Sequence, residues 1–138
     1  MINAREYLKS FRREEARIAL KVRQLQSLRD KLTSLSVPTD KEKVTHTKDV
    51  TAMSKTIARI VDMEKEICLR NDRLTESKCE AYKIFDQIQT DSASLLTDRY
   101  IDGKPISQIC EERLVTDRHL RRLMSEAINA LQEVFDKS

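Results

Sequence analysis

The sequence predicts an all-α protein, in which a long antiparallel, coiled-coil-like helical hairpin is followed by a C-terminal group of short helices. The chain of 138 residues contains one glycine and two prolines, whereas a β-rich fold of this length needs many more turn residues. Its 39% hydrophobic and 36% charged residues are typical of helices with one buried stripe and wide solvated faces. Apolar residues also recur at alternating three- and four-residue steps through much of the first 90 residues.

A first helix of about 30 residues is predicted from the heptad-like apolar pattern. It contains neither glycine nor proline, and Asn3 and Glu6 have the spacing of a capping box. Glu15 and Arg29 fill gaps in the pattern. The apolar positions of this helix, its seam, are Leu8, Phe11, Ile18, Val22, Leu25 and Leu32.

A polar connection is predicted at residues 33–49, which are rich in Ser, Thr, Asp and Lys and include Pro38. We expect His46 to be a solvated loop residue there. The second helix has Glu64, Asn71 and Lys78 as polar members of its seam. The apolar members of that seam are Val50, Met53, Ile57, Ile60, Ile67, Leu74, Ala81, Phe85 and Ile88.

Residues 1–90 are therefore predicted to form one domain, a helical hairpin that serves oligomerisation. Its apolar surface exceeds what one hairpin buries, so either a second copy of the chain or the C-terminal domain must cover the remainder. We expect a homodimer. The apolar residues that lie off the seam are Val61, Met63, Cys68, Leu69, Tyr82 and Ile84.

Residues 91–138 are predicted to form a second domain that contains a helix-turn-helix. Asp91 or Ser92 is a candidate cap for its first helix. Gly103 and Pro105 separate that helix from a short one at 106–114. The short helix must pack to be stable, through Ile106, Ile109, Cys110 and Leu114. Thr116 is then the N-cap of the last helix, whose apolar face is Leu120, Leu123, Met124, Ala127, Leu131, Val134 and Phe135.

The first turns of that last helix carry an outward-facing polar tip, formed by Asp117, Arg118, His119, Arg121 and Arg122. A helix fits the major groove of DNA, and arginine donates two parallel hydrogen bonds to guanine. Arg118 and Arg122 share one helix face, so we expect them to read bases. Asp117 suits cytosine N4 or the helix N-terminus. Arg121 and His119 suit flanking phosphates, as do Thr116 and Ser107.

The alternative for this region is a short helix pair that has a packing role only, with exposed arginines on its surface. Charge argues against a non-specific binder, because residues 91–138 carry seven Lys and Arg against nine Asp and Glu, a balance of −2. Residues 1–34 carry nine against four, a balance of +5. The basic face of the first helix is either plainly solvated or grips a phosphate backbone or an acidic partner; it comprises Arg5, Lys9, Arg12, Arg13 and Arg17.

The sequence indicates no enzyme. There is no glycine-rich phosphate loop, no nucleophile–base pair and no Cys/His cluster with zinc spacing, so we expect no catalytic residue, no metal and no cofactor. Three cysteines without a CxxC pair indicate reduced thiols in a cytoplasmic protein. The absence of an 18-residue apolar run or a signal-like hydrophobic core predicts no membrane association.

Residues 95–131 also resemble region four of bacterial sigma factors. The matching elements are Arg99-Tyr100, Asp102-Gly103-Lys104, Ile109-Cys110-Glu111-Glu112, Val115-Thr116, Arg121-Arg122-Leu123, Ala127 and Leu131. The resemblance implies a recognition helix that reads the −35 promoter element, with base contacts at Asp117, Arg118 and Arg122. Over nearly the full chain, the order of parts resembles small prophage and mobile-element proteins of Gram-positive bacteria, which begin with a segment like Ala4-Arg5-Glu6-Tyr7-Leu8.

The chain departs from the sigma-like pattern in the turn, where Leu114 stands in place of Gly or Asn and Arg113 in place of an apolar residue. A leucine at positive φ costs about 1 kcal/mol or more. We therefore expect Leu114 to take the buried role and the turn to be reshaped. Asp117 replaces a basic residue, so promoter specificity does not transfer. Because promoter-melting regions are absent, we do not expect a stand-alone sigma factor.

The leading hypothesis is a sequence-specific, dimeric transcription regulator of phage or mobile-element type. It would read the major groove of double-stranded DNA with the helix that starts at Thr116. One alternative is a phage small terminase subunit, which also joins a helix-turn-helix to a coiled oligomerisation region. A further alternative is a helical adaptor that binds RNA polymerase or another protein.

Overall fold

The computed structural model describes residues 2–36 and 46–138, and this part of the chain is all-α, as its composition predicts. None of its helices is both long and apolar enough to cross a membrane. A π-helical segment, Thr97–Ile101, directly follows the third α-helix. The α-helices are α1 (Ala4–Ser36), α2 (His46–Phe85), α3 (Thr90–Leu96), α4 (Ile106–Arg113) and α5 (Asp117–Asp136).

The connection between the two long helices differs from the prediction at both ends. Helix α1 continues to Ser36 and α2 already begins at His46, so the interval predicted at 33–49 is too long. His46 is the first residue of a helix rather than a loop residue. The predicted end of α1 and start of α2 rested on side-chain polarity alone. Both are wrong because helical turns also tolerate Ser, Thr and Lys. Pro38 and the rest of the predicted connection lie outside the described residues.

The described residues fall into two compact units. One unit comprises Met1–Glu15 together with Leu74–Ser138, and the other comprises Ala16–Arg73. Each long helix therefore contributes one end to the first unit and the remainder to the second. The boundary near residue 90 that the sequence suggests stays a prediction about domain organisation.

In the unit Ala16–Arg73, buried side chains of both long helices form a narrow seam. Helix α1 buries Ile18 and Leu25, and α2 buries Thr56, Ile60 and Ile67. These positions recur at four- and seven-residue steps, which keep them on one side of each helix.

Ion pairs accompany the seam of this unit. Arg29 Nη2 lies 2.7 Å from Glu64 Oε1, and Lys21 Nζ lies 3.0 Å from Glu66 Oε1. Arg29 and Glu64 are polar members predicted for the two seams, and the structure pairs them. The hydrogen bond from Lys21, assisted by one from Arg70, lowers the pKa of the Glu66 carboxyl below its ordinary value. The Arg29–Glu64 pair is exposed, whereas the Lys21 side chain is half-buried. A solvent-exposed pair adds specificity of alignment more than stability.

The seam of α2 has a different register at its N-terminal end from the predicted one. Thr56 is buried, whereas Ile57 and Val50 are exposed. Thr56 Oγ1 donates a hydrogen bond to the Ala52 carbonyl at 2.9 Å, so its hydroxyl is satisfied inside the helix and burial is tolerated. On α1, Val22 is likewise exposed rather than buried.

In the other unit, the start of α1 is tied to the end of α5. The Ala4 N–H donates to Gln132 Oε1 at 2.8 Å, and Gln132 Nε2 donates to the Ile2 carbonyl at 2.9 Å. The Tyr7 ring meets Phe11 and Phe135 edge-on, with centroids 5.2 and 5.1 Å apart. Partial burial raises the pKa of the Tyr7 phenol, and the nearby Glu80 carboxylate adds to this.

The predicted capping box at the start of α1 is half present. The Glu6 N–H donates to Asn3 Oδ1 at 3.1 Å, as the spacing predicts. The Glu6 carboxylate instead pairs with Arg13 Nη2 at 2.7 Å. This pairing lowers the pKa of the Glu6 carboxyl.

The short C-terminal helices enclose a continuous apolar core. Helix α3 packs against α5 and against the π-helical segment. Helix α4 packs against the same two elements. Gln89, and neither Asp91 nor Ser92, is the N-cap of α3. The core side chains are Leu95, Leu96, Ile101, Ile109, Leu120, Met124, Ala127, Ile128 and Leu131.

The register of α2 is testable with two matched substitutions. Ile60→Ala removes a side chain that is 8% exposed, whereas Ile57→Ala removes one that is 44% exposed. We expect Ile60→Ala to lower the free energy of unfolding by about 2–5 kcal/mol and Ile57→Ala by less than about 1 kcal/mol. Urea unfolding followed by circular dichroism measures both. Equal losses would show that the predicted register, with Ile57 in the seam, is correct.

Candidate nucleic-acid interface

Helices α4 and α5 are joined by the three residues 114–116, and the packing of both helices sets the direction of the turn. Ile109 on α4 and Leu120 on α5 are fully buried. Thr116 is the N-cap of α5, and its Oγ1 accepts from the His119 N–H at 3.1 Å, as predicted. Leu123, expected to face inward with Leu120, is only half-buried.

The turn itself contains a left-handed leucine. Leu114 has φ 56° and ψ 45°, so it adopts the left-handed conformation whose cost led us to expect a reshaped turn. The expectation that Leu114 becomes buried is wrong, because its side chain is 91% exposed. The Val115 N–H donates to the Cys110 carbonyl at 3.1 Å, which closes the helix end in the manner of a left-handed cap.

Polar contacts hold Arg113, the last residue of α4. Its Nη2 donates to Asp98 Oδ2 at 3.1 Å and to Ser94 Oγ at 2.9 Å. Its Nε is buried and lacks a hydrogen-bond partner among the described residues. These polar contacts join α4 to α3 and to the π-helical segment.

A second set of charges surrounds the turn before α4. Lys104 Nζ lies 3.0 Å from Glu112 Oε2 and 3.7 Å from Asp98 Oδ1. Hydrogen bonds from Gln108 and then Lys104 lower the pKa of the Glu112 carboxyl. The hydrogen bond to Glu112 in turn raises the pKa of the Lys104 amine. Gly103, at φ 73°, allows the sharp reversal that brings Lys104 to this position.

The structure places the predicted polar tip on the outside of the first turns of α5. Asp117, Arg118, Arg121 and Arg122 are exposed, and His119 is half-buried. Arg121 Nε lies 3.1 Å from Asp117 Oδ2, and Arg122 Nη2 lies 3.3 Å from His119 Nδ1. Within the described chain, Arg118 has no ion pair or hydrogen-bond partner. The tip therefore presents guanidinium groups, and only one carboxylate, to solvent.

Ser107, on the first turn of α4, is also exposed. Its neighbour Ile106 lines the same cavity as Arg121 of the tip, so the start of α4 and the tip border one surface feature. Two further residues of this cavity, Arg5 and Arg99, were not assigned to the site from the sequence. From the sequence, Arg5 is a member of the basic face of the first helix, for which contact with a phosphate backbone is one of the alternatives.

Across residues 2–36 and 46–138, no three His, Cys, Asp or Glu side chains cluster in a way that would hold a metal ion. The three thiols are free; Cys68 and Cys79 are exposed and Cys110 is half-buried. Comparisons of the chain with protein-family models, with curated proteins and with solved structures found no match.

The strain at Leu114 is measurable by substitution. Leu114→Gly removes the Cβ that disfavours positive φ, and we expect it to raise the free energy of unfolding by up to about 1 kcal/mol, less the entropy that glycine adds to the unfolded chain. Leu114→Ala is the control, since it removes the exposed side chain but keeps the Cβ. A gain from alanine as large as that from glycine would show that backbone strain is not the cause.

The charge network around Glu112 predicts a pH effect. Because its pKa is lowered in the folded chain, its contribution to stability is present above the ordinary carboxyl pKa and disappears as the pH falls through the lowered value. An NMR titration of the Glu112 carboxyl should show this pKa rising in Gln108→Ala and in Lys104→Met. Lys137→Met, which removes a lysine outside the network, should leave it unmoved. An unchanged pKa in all three variants would contradict the assigned contacts.

Proposed function

We propose that this chain is a sequence-specific double-stranded DNA-binding protein, a transcription regulator of phage or mobile-element type, in which α4 and α5 act as a helix-turn-helix. The observation that carries the proposal is the tip of α5. It begins at a side-chain-capped N-terminus and exposes Arg118 and Arg122 on one face, while Leu120 on the other side is fully buried.

Arg118 and Arg122 are the proposed base-reading residues. Their four-residue spacing places both guanidinium groups on the same face of α5, and each group offers the paired donors that match guanine O6 and N7. Arg118 has all its donors available within the described chain. Arg122 Nη2 lies 3.3 Å from His119 Nδ1. This contact orients the guanidinium group without neutralising its charge.

Asp117 is compatible with DNA binding by this tip. Its carboxylate lies at the N-terminus of α5, where negative charge is favourable, and it pairs with Arg121. The proposed roles of Arg121, His119, Thr116 and Ser107 are contacts with the phosphates that flank the groove. Arg121 and His119 belong to the tip, Thr116 is the N-cap of α5, and Ser107 lies on the first turn of α4. Of these four, His119 is half-buried and the others are exposed.

We propose that the long helices form an antiparallel hairpin that mediates dimerisation. In the unit Ala16–Arg73, two ion pairs link α1 to α2, Lys21–Glu66 and Arg29–Glu64. The later residue of α1 pairs with the earlier residue of α2, as in an antiparallel pair of helices. Helix α2 also exposes apolar side chains, which include Ile57, Val61 and Leu69. A second copy of the chain is the proposed cover, and RNA polymerase is a second candidate partner for such a face.

Removal of Arg122 tests base reading directly. We expect Arg122→Ala to cost about 1–3 kcal/mol of affinity for the selected sequence and to relax the preference at one base pair. Arg73→Ala, which removes an exposed arginine outside the tip, should leave both unchanged. The target comes from sequence selection on random duplex DNA, followed by fluorescence anisotropy.

Three results would decide against this function. Failure to select any motif with folded protein would remove the proposed sequence specificity. If Arg122→Ala still binds DNA and substitution of Arg12 and Arg13 abolishes binding, the DNA contacts lie on α1 instead. Light scattering that shows a closed ring of many chains, rather than a dimer, would favour a small terminase subunit.

A further inference from the structure

A concave site lies beside the tip of α5, bounded by segments that are far apart in the sequence. It has a volume of about 250 Å³ and is bordered by Arg5 of α1, Arg99 of the π-helical segment and Arg121 of α5. A water molecule takes about 30 Å³, so the cavity has room for several waters or for a phosphate group with waters around it.

The lining of this cavity suits an anion. Its polar lining residues are three arginines, Tyr100 and Ser125, and no Asp or Glu is among the described residues that line it. The remaining lining residues are the apolar Ile106, Leu120, Met124 and Ile128. Three like charges around one cavity repel each other, and an anion between them removes that repulsion. In the part of the chain that the structure describes, the only ion pair of these three arginines links Arg121 to Asp117, which does not line the cavity. No carboxylate of the lining therefore neutralises them.

Hydrogen-bond donors remain available on these arginines. Each guanidinium carries five N–H donors. Arg99 uses Nη1 for the Lys104 carbonyl at 3.1 Å, which anchors the side chain and leaves its other donors. Arg5 is exposed and has no hydrogen-bond or ion-pair partner in the described part of the chain. A fork of parallel N–H donors matches the oxygens of a phosphate group better than those of a halide or a small neutral molecule.

The cavity is continuous with the face of α5 that we propose for base reading. Ser125 lies three residues after Arg122 and four after Arg121, so it extends the same side of the helix. A ligand in the cavity would therefore lie next to the groove-facing arginines. In a protein–DNA interface, the group found beside a recognition helix is a backbone phosphate.

From these observations we infer that the cavity binds a phosphate group and that, in the DNA complex, this group is a backbone phosphodiester. The DNA part of the inference rests on the proposed function. Its new element is Arg5, which makes the N-terminal helix a part of the DNA interface. A phosphomonoester of a small ligand carries the same chemistry and is the other source of such a group.

The first experiment measures the salt dependence of DNA binding by the full chain. Arg5→Gln should weaken binding to the selected duplex and to random duplex by the same factor, because a phosphate contact carries no sequence information. The slope of log affinity against log salt should fall by about 0.9. Arg17→Gln, with the same charge change on an exposed α1 residue outside the cavity, should leave affinity and slope unchanged.

The second experiment uses inorganic phosphate as the probe, read by NMR at the arginine Nε–H groups. Signals of Arg5 and Arg99 should shift with phosphate and not with chloride at equal ionic strength, and Arg5→Gln should suppress the shift at Arg99. If the chain binds no DNA, the proposed function fails, and a phosphate response then assigns the cavity to a small phosphorylated ligand.

The outcomes separate the two proposals. An unchanged salt slope in Arg5→Gln, with specific binding still lost in Arg122→Ala, overturns the DNA role of the cavity and leaves the helix-turn-helix function standing. An unchanged slope together with no phosphate response overturns the cavity as a phosphate site altogether.

Discussion

The C-terminal helices depend on a small core of side chains that solvent does not reach. Leu96, Ile109, Leu120 and Leu131 are each fully buried, and full burial of such a side chain contributes about 1.5–3 kcal/mol. Helix α4, with eight residues, is too short to be stable in water by itself, so its existence depends on the burial of Ile109. The same core orients α5: because Leu120 faces inward, the arginines on the opposite side of its first turns face solvent.

The turn before α5 has a local conformation that the surrounding packing enforces. A left-handed leucine is unfavourable by about 1–2 kcal/mol, and Leu114 gains nothing from burial because it is almost fully exposed. The conformation persists because the flanking positions are fixed, with Arg113 bound to Asp98 and Ser94 and Thr116 capping the next helix. Strain of this kind at the entrance of a helix is common where the direction of the helix matters for function.

The periodicity of the chain predicted its long helices, but not every residue that they bury. Leu25, Ile60 and Ile67 were expected in the seams and are buried. At the N-terminal end of α2, two registers fit a three–four alternation, and the more apolar choice, Ile57, was wrong. Thr56 is buried because its hydroxyl bonds to its own helix, a compensation that a scale of side-chain polarity does not contain. The exposed remainder of α2 is the face that we propose a second chain covers.

By itself, the sequence determined the features that arise from local chemistry. The scarcity of glycine and proline indicates a helical protein, Gly103 allows a reversal of the chain, and the Thr116 hydroxyl caps the helix that follows it. Only the tertiary structure decided which charges meet. Arg113 reaches Asp98, and Arg5 borders one cavity with Arg99 and Arg121, since residues so distant in sequence come together only when the apolar core has brought their helices into contact. The arginines that we propose for base reading belong to the first kind of feature, and the proposed phosphate site belongs to the second.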